Sequence, residues 1–387
     1  MGNVVRTDPG CSAGPVLEDI LRTISRKATL GGLALIGTSV LVLSGCAAAP
    51  ETDGGNGGAE AIDFLPCIVS DAGGFDDKSF NQLSYEGLVK AADELGVEFK
   101  KVESDVETDY EPNVTSLVDQ GCDLIVAVGF ALADATVASA KANADVEYLI
   151  IDDAADTDFD GTTDAENIKP LLYDTAQAAF LAGYAAADTT KTGIVGTFGG
   201  MNFPTVSIFM DGFAQGVDYY NEAKGASVQV LGWDRAKQDG SFTGGFSAGT
   251  EAQNIAQGLI DQNVDVLLPV GGPIYQSAAA AIRDSGREIA LIGTDADVFD
   301  TDPTVADLLL TSIRKGMDIS TYEAVLSAGK GTFDTAAYVG TLDNEGVSIA
   351  DFHDWSSKVK PELAGELDTL KADIISGKVK VESYLAG

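Results

Sequence analysis

The feature that most constrains the fold is a regular alternation of short apolar runs with amphipathic helical patterns along the chain. Such apolar runs are typical of buried strands, and the intervening apolar residues recur at helical spacing. The predicted strands cover residues 63–70, 97–102, 123–128, 146–151, 192–198, 227–232, 265–269 and 289–293. The predicted helices cover residues 78–95, 111–120, 132–144, 173–187, 204–223, 248–262 and 274–285. This alternation predicts an α/β protein whose parallel sheets carry helices on their faces.

The alternation forms two successive series, which predict two Rossmann-like lobes that face a cleft. A less regular tail follows, with strands predicted at 307–312 and 335–341 and helices at 317–328 and 357–376. We expect these late elements to return to the first lobe and then to the second, which would form a hinge. The predicted boundaries place residues 61–168 and 297–331 in lobe 1, and residues 169–296 and 332–387 in lobe 2.

The first 45 residues are typical of an export signal. Arg22, Arg26 and Lys27 precede an apolar run from 28 to 43, and the run ends in a Leu-Ser-Gly-Cys sequence at Cys46 that resembles the bacterial lipobox. A membrane-spanning helix is the alternative, but the run is shorter than the ~20 residues that a helix needs to cross. We therefore expect a signal peptide at 1–45, acylation (palmitate) of Cys46, and a glycine-rich tether at 46–60. The predicted location is the extracytoplasmic face of the cell membrane, held by the lipid anchor.

The chain is strongly acidic, with a formal net charge of −36. Nucleic-acid phosphates would be repelled by such a surface, so nucleic acid is not expected as a partner. Cys67 and Cys122 lie at the edges of predicted strands, where buried thiols are the expected state and a disulfide is the alternative. No cysteine pair has the spacing of a zinc or redox site.

Residues 70–82 place flexible backbone, carboxylates, a phenyl ring and an amide just after the first predicted strand. In open α/β sheets ligands bind beyond the carboxyl ends of the strands, so this segment is predicted to line a ligand cleft. Asp71 is expected to contact the ligand, whereas Phe80, which lies at helical spacing with apolar neighbours, is expected in the core. Asp76 and Asp77 are expected instead to cap the following helix, since a carboxylate is favourable at the positive end of a helix.

Motifs along almost all of residues 61–387 resemble those of the basic membrane protein family of substrate-binding lipoproteins, which includes purine nucleoside receptors of ABC transporters. The motifs are Asp71, residues 73–82, 129–130, 150–152, 179–184 and 199–201, Pro204, Phe209, residues 212–213, Gly216, residues 240–242, 271–272, 293–297 and 311–315. This resemblance implies a fold similar to the type I periplasmic binding proteins. It also implies a nucleoside ligand and, as partners, an ABC permease and its ATPase.

The resemblance further implies which residues bind the ligand. These are Asp71, Phe80, Asn81, Phe130, Asp152, Met201, Phe242, Gly272, Asp295 and Lys315. In this family Asp71, Asp295 and Lys315 would hold the ribose. Phe80 and Phe242 would sandwich the base, and Asn81 would read its edge. The sequence after Phe242 departs from the usual family pattern, so Phe246 is a competitor for the stacking role.

Other functions remain open from the sequence. The ligand is alternatively another hydroxylated small molecule such as a sugar, or the protein is a sensory lipoprotein that signals through a membrane partner. Residues 245–249 fit the G-x-S-x-G pattern of a hydrolase with His353 downstream, but a strand should precede that motif. Residues 156–164 resemble half of a calcium loop, although Asn167 replaces its final glutamate, and an exposed acidic loop is the expected state. We predict no enzyme activity, no cofactor and no metal.

Overall fold

A computed structural model describes residues 62–385. The predicted signal peptide, the tether and the lipidation site at Cys46 lie outside these residues. Within the part that the model describes, no helix combines the length and the apolar character needed to cross a bilayer.

The described chain alternates strands and helices much as the sequence predicts. The strands are β1 (Pro66–Ser70), β2 (Lys100–Val102), β3 (Leu124–Val128), β4 (Glu147–Ile151), β5 (Ile168–Tyr173), β6 (Ile194–Gly199), β7 (Gln229–Leu231), β8 (Trp233–Asp234), β9 (Asp239–Gly240), β10 (Val266–Val270), β11 (Ala290–Asp295), β12 (Leu309–Lys315), β13 (Tyr338–Gly340) and β14 (Val347–Ile349). The helices are α1 (Phe80–Leu95), α2 (Tyr110–Asp119), α3 (Ala133–Ala142), α4 (Thr175–Thr189), α5 (Pro204–Lys224), α6 (Thr250–Ile260), α7 (Ile274–Ser285), α8 (Val298–Thr301), α9 (Met317–Gly329) and α10 (Leu363–Ile375).

Twelve of these strands form two sheets. The first sheet has the order β13-β5-β4-β3-β1-β2 and the second the order β14-β12-β11-β10-β6-β7, while β8 and β9 form a hairpin. Every pairing in the two sheets is parallel except that of β12 with β14. Every residue of β1, β3, β10 and β11 is buried, because helices cover both faces of a parallel sheet. The predicted α/β class with two Rossmann-like lobes is confirmed.

The chain crosses between the lobes three times, and these crossings correct the predicted boundaries. Strand β5 belongs to the first sheet, although the boundary was predicted at 169, and β12 belongs to the second sheet rather than to lobe 1. Helix α9 then returns to pack on α1, β13 joins the first sheet, and β14 ends in the second. The tail thus reaches both lobes, but β13, which was predicted in lobe 2, lies in the first sheet.

Strands β5 and β14 are absent from the sequence prediction. Proline at position 170 argues against a strand, because proline lacks the N–H that a sheet requires. In the structure Pro170 lies opposite Ile150 of β4, before the residues of β5 that pair with β13. Strand β14 has only three residues, too few to show a periodic pattern.

Helices α4 and α5 pack closely because glycines lie at their contact. A Cβ atom at Gly183 would lie 2.0 Å from the carbonyl oxygen of Phe213, and one at Gly216 would lie 2.0 Å from that of Phe180. Only glycine allows the two helices to approach this closely. The start of α5 lies at the edge of the cleft described below. Gly183 and Gly216 of the family motifs are therefore packing residues here.

Cys67 and Cys122 form a disulfide, which corrects the expectation of two buried thiols. Cys67 lies in β1, Cys122 precedes β3, and both residues are buried. Because β1 and β3 are neighbours in the first sheet, the two sulfur atoms meet although 55 positions separate them. The sequence alone does not show that these strands are adjacent.

Candidate functional site

A cavity lies between the two lobes, at the carboxyl ends of both sheets. It is lined by Asp71, Gly73, Asp77, Phe80, Asn81, Phe130, Asp152, Thr205, Val206, Phe209, Phe246, Val270, Gly271, Gly272, Pro273, Asp295 and Lys315. Side chains that follow β1, β3, β4 and β10, or that end β11 and β12, thus converge on one space.

Lys315 is the basic residue among the described residues that line the cavity. It is 4% exposed, and its Nζ contacts the Asp152 carboxylate and lies 3.4 Å from Oδ1 of Asp295. Burial alone would lower the pKa of Lys315, but the two carboxylates outweigh this effect and raise the pKa above its usual value. Lys315, at the end of β12, is therefore a charged ammonium group that links Asp152 of the first lobe to Asp295 of the second.

Asp152 and Asp295 occupy equivalent places in the two sheets. Asp152 follows β4 and Asp295 ends β11, and both have left-handed backbone, with φ of 63° and 68°. A residue other than glycine adopts this conformation at a cost, and such residues cluster at functional sites. In this protein the conformation occurs at the two carboxylates that share Lys315.

Asp71 is held by hydrogen bonds on one side and by a glycine on the other. Its Oδ1 accepts from Asn81 Nδ2 at 2.8 Å and from the Gly73 backbone N–H at 3.2 Å. A Cβ at Gly129 would lie 2.5 Å from its Oδ2, so glycine is needed there. Burial, aided by the charges of Asp77 and Asp295, raises the pKa of Asp71 to about 6, against the effect of its hydrogen bonds. Its carboxylate can accept hydrogen bonds from a ligand at neutral pH.

Asp77 caps α1 as predicted, and it also lines the cavity, which was not predicted. Its Oδ1 accepts from the backbone N–H groups of Ser79 and Gln82, and its Oδ2 accepts from that of Asn81. Burial nevertheless raises its pKa, so these bonds do not fully compensate for the lost water. Asp76 is exposed and does not line the cavity.

The structure places Phe246, and not Phe242, in the cavity. Its ring packs against two glycines, since a Cβ at Gly200 or Gly271 would lie 2.4 or 2.6 Å from it. Phe242 instead forms a bridge with Gly199 at the end of β6, and its ring meets Trp233 edge-on at 6.5 Å. The prediction that Phe242 reaches the ligand is therefore not supported by its position.

Eight of the ten predicted ligand residues line the cavity, namely Asp71, Phe80, Asn81, Phe130, Asp152, Gly272, Asp295 and Lys315. Met201 lies outside the cavity lining, in the bend before α5, and is 37% exposed. Contacts between the eight lining residues and a ligand remain a prediction. The lining residues that the prediction missed include Thr205 and Phe209 on α5, although Phe209 belongs to one of the family motifs.

The acidic loop at 156–164 is exposed at residues 158–163 and half-buried at its ends, and it lies apart from the cavity lining. Carboxylate oxygens of Asp156, Asp158 and Asp160 lie within 4.8 Å of one another. Asp156 also accepts hydrogen bonds from two backbone N–H groups of the loop. Asn167, at the position of the final calcium ligand, donates its amide to three backbone carbonyls outside the loop.

The G-x-S-x-G segment does not form a hydrolase elbow. Ser247 is exposed in an irregular segment, whereas the elbow requires a sharp turn between a strand and a helix. His353 Nε2 lies 2.9 Å from Asp297 Oδ2, and its ring stacks on Phe299 with the centroids 4.0 Å apart. The His353 ring thus contacts Asp297 and Phe299.

Residues 65–383 match the model of the family described as Bmp, ABC transporter substrate-binding protein PnrA-like. The chain belongs to the Bmp family. The match covers both lobes and every residue that lines the cavity. The resemblance seen in the motifs is therefore confirmed, and this Bmp protein is an ABC transporter substrate-binding protein.

Individual Bmp relatives are similar over nearly their whole length. The ABC transporter nucleoside-binding protein BmpA of Lactococcus lactis is 29% identical, over 92% of this chain and 99% of the relative. The CD4+ T-cell-stimulating antigen of Listeria monocytogenes is 27% identical, over 90% of this chain and 96% of the relative. Among solved structures, an ABC transporter solute-binding protein of Aeropyrum pernix has a TM-score of 0.73 at 24% identity, over 83% of this chain and 94% of that one. This structure supports the periplasmic-binding-protein-like fold.

Proposed function

We propose that this Bmp protein is a lipid-anchored receptor that encloses a nucleoside, preferably a purine nucleoside, between its lobes and delivers it to an ABC permease. The observation that carries the proposal is the composition of the cavity. Four phenyl rings, among them those of Phe80 and Phe246, line the same space as the carboxylates of Asp71 and Asp295 and the ammonium of Lys315. The name of the Lactococcus relative, a nucleoside-binding protein, supports the same ligand class.

The charged residues suit the sugar of a nucleoside. Asp71, Asp77, Asp152 and Asp295 face the cavity with one ammonium group, so the lining has more negative than positive groups. Such a lining favours a neutral ligand with hydroxyl donors, because an ionised carboxylate only accepts hydrogen bonds. In this proposal Asp71 and Asp295 accept from the ribose hydroxyls. A phosphorylated ligand would be repelled.

The aromatic residues suit the base. A flat ring that stacks on aromatic side chains gains about 1–3 kcal/mol per base, whatever the base. Phe80 from the first lobe and Phe246 from the second would hold the base between them, with Asn81 at its edge. Asn81 is 2% exposed, and its Oδ1 has no hydrogen-bond partner within the described residues, so it is available to a donor on the ligand.

The disulfide supports a location outside the cytoplasm. Disulfides persist in oxidising compartments and are rare in the reducing cytosol, and Cys67 and Cys122 form one in the first sheet. Together with the lipobox at Cys46, this supports a receptor anchored at the extracytoplasmic face of the cell membrane. Labelling cells with a radioactive fatty acid tests the anchor, and a Cys46→Ala variant that still takes up the label would contradict it.

Calorimetry with inosine, guanosine, adenosine, cytidine and ribose tests the proposed ligand. We expect the purine nucleosides to bind more tightly than cytidine, and ribose to bind weakly, because ribose lacks the base that Phe80 and Phe246 would stack on. Binding of free ribose without any nucleoside would favour a sugar receptor instead. Mass spectrometry of small molecules released from the denatured protein gives an independent identification.

Replacing Phe246 with alanine is expected to weaken purine-nucleoside binding by about 5- to 150-fold, the equivalent of one stacking contact of about 1–3 kcal/mol. Phe242→Ala is the matched control, because Phe242 lies in the same segment but outside the cavity lining. We expect its affinity to stay within about twofold of the wild type. The reverse order, with Phe242→Ala the weaker binder, would restore Phe242 as the stacking residue.

Nucleoside affinity is expected to fall at acidic pH because of Asp71. Its pKa is raised to about 6 by burial, so below pH 6 the free protein carries a proton on this carboxyl. Ribose hydroxyls donate to the ionised form, so binding must release that proton, and the Kd should rise by up to about tenfold per pH unit below 6. Calorimetry from pH 5 to 8 measures this. Asp71→Asn should bind more weakly at pH 7.5 but with a flatter pH profile, and an equally steep profile would exclude Asp71 as the titrating group.

A further inference from the structure

Ser79 is at the N-cap of α1 but does not cap it. A serine at this position usually accepts a hydrogen bond from the first turn of its own helix. Here no such bond is made, because the Asp77 carboxylate takes the backbone N–H groups of Ser79, Asn81 and Gln82. The hydroxyl of Ser79 is therefore free to bond elsewhere.

The Ser79 hydroxyl bonds to the other lobe. Its Oγ donates to the backbone carbonyl of Thr294 at 2.9 Å and lies 3.3 Å from Oδ2 of Asp295. Thr294 and Asp295 end β11 in the second sheet, whereas Ser79 connects β1 of the first sheet to α1. Ser79 is completely buried, so water does not compete for these bonds in this structure.

A second bond crosses between the lobes next to the first. Thr301, at the end of α8, donates its Oγ1 to the carbonyl oxygen of Lys78 at 2.6 Å. Lys78 has left-handed backbone, with φ of 62°, which an L-residue adopts at a cost. The bond to Thr301 stabilises this conformation at the residue directly before Ser79.

We propose that Ser79 and Thr301 form an interlobe latch that keeps the lobes closed and orients Asp295 toward the ligand. Neither residue lines the cavity, so both are positioning residues that act on the ligand through closure. Both bonds join groups from different lobes, and they break when the lobes separate. The effect on a bound ligand rests on the proposed nucleoside function, whereas the effect on lobe closure does not.

The latch is expected to act on dissociation more than on association. Opening must break both bonds before the ligand leaves, whereas a ligand that enters the open form meets the lobes before the bonds exist. Loss of one hydrogen bond should speed dissociation roughly two- to tenfold. Loss of both should have a larger effect, with the association rate within about twofold of the wild type.

The test compares Ser79→Ala, Thr301→Val and their double variant with controls that lack the interlobe bond. Ser84→Ala and Thr321→Val make the same substitutions at buried hydroxyls that have no hydrogen-bond partner within the described residues; Ser84 matches Ser79 in burial, whereas Thr301 is half-buried. Release of tritiated inosine, adenosine or guanosine into excess unlabelled nucleoside measures dissociation. Small-angle X-ray scattering of the ligand-free proteins measures closure.

We expect faster release and a larger radius of gyration for the latch variants than for their controls. Equal release rates and equal radii for Ser79→Ala and Ser84→Ala, and for Thr301→Val and Thr321→Val, would overturn the latch. If Ser79→Ala fails to fold, Thr301→Val tests the second bond alone. Wild-type protein that binds none of the three nucleosides would overturn the proposed function, and the scattering comparison would still decide on the latch.

Discussion

Replacing Lys315 with methionine is expected to destabilise the protein by about 3–5 kcal/mol and to abolish nucleoside binding, because it leaves buried carboxylates without their cation. The Lys315 side chain is 2% exposed, and those of its partners Asp152 and Asp295 are 7% and 5% exposed. Water cannot replace the ammonium group at such depth. Denaturant unfolding measures the loss of stability, and calorimetry measures the loss of binding.

Two variants show whether the loss comes from the unpaired carboxylates. The double variant Lys315→Met, Asp152→Asn should recover part of the stability, because it removes one of the stranded charges. Lys191→Met should change stability by no more than about 0.5 kcal/mol, since the Lys191–Glu288 pair is at the surface, with side chains 74% and 53% exposed. A Lys315→Met protein as stable as Lys191→Met would show that the buried pair is not essential to the fold.

Removal of the Cys67–Cys122 disulfide is expected to lower the free energy of unfolding by about 2–5 kcal/mol. The bond closes a loop across 55 positions, so it removes many conformations from the unfolded chain. Denaturant unfolding of the double variant Cys67→Ala, Cys122→Ala measures the effect. Wild-type protein treated with a thiol reductant is the second measurement, because it keeps both side chains.

Nucleoside affinity should change little in the same variant. Cys67 lies in the first half of β1, and Cys122 precedes β3, whereas the cavity lies beyond the carboxyl ends of these strands. A stability unaffected by both the substitutions and the reductant would contradict the stabilising role. A large loss of affinity with full stability would instead show that the disulfide acts on the site.

The sites that sequence reasoning located follow from the order of elements or from the family motifs. Asp71 follows the first predicted strand, where ligands of open α/β sheets bind, whereas Asp152 and Asp295 were located by the family motifs. The family motifs assigned ligand-binding residues to both lobes. Asp71, Asp152 and Asp295 line one cavity.

Residues on irregular backbone were located less well. Phe242 and Phe246 are four positions apart, and both lie in a segment that crosses the end of β6. Which ring enters the cavity depends on hydrogen bonds of that segment to Gly199 and Gly200, and no periodic pattern predicts such bonds. The expectation that Cys67 and Cys122 are free thiols was wrong for a similar reason, because a disulfide between them depends on which strands are neighbours.

The sequence by itself determined the α/β class, the order of nearly all strands and helices, and the family, since apolar periodicity and local motifs are properties of short segments. Only the tertiary structure decided the assignment of β5 and β12 to their sheets, the disulfide, the choice of Phe246, and the bonds of Ser79 and Lys315 across the lobes. Each of these depends on atoms that are distant along the chain. Their proximity results from packing the whole protein, which no short segment encodes.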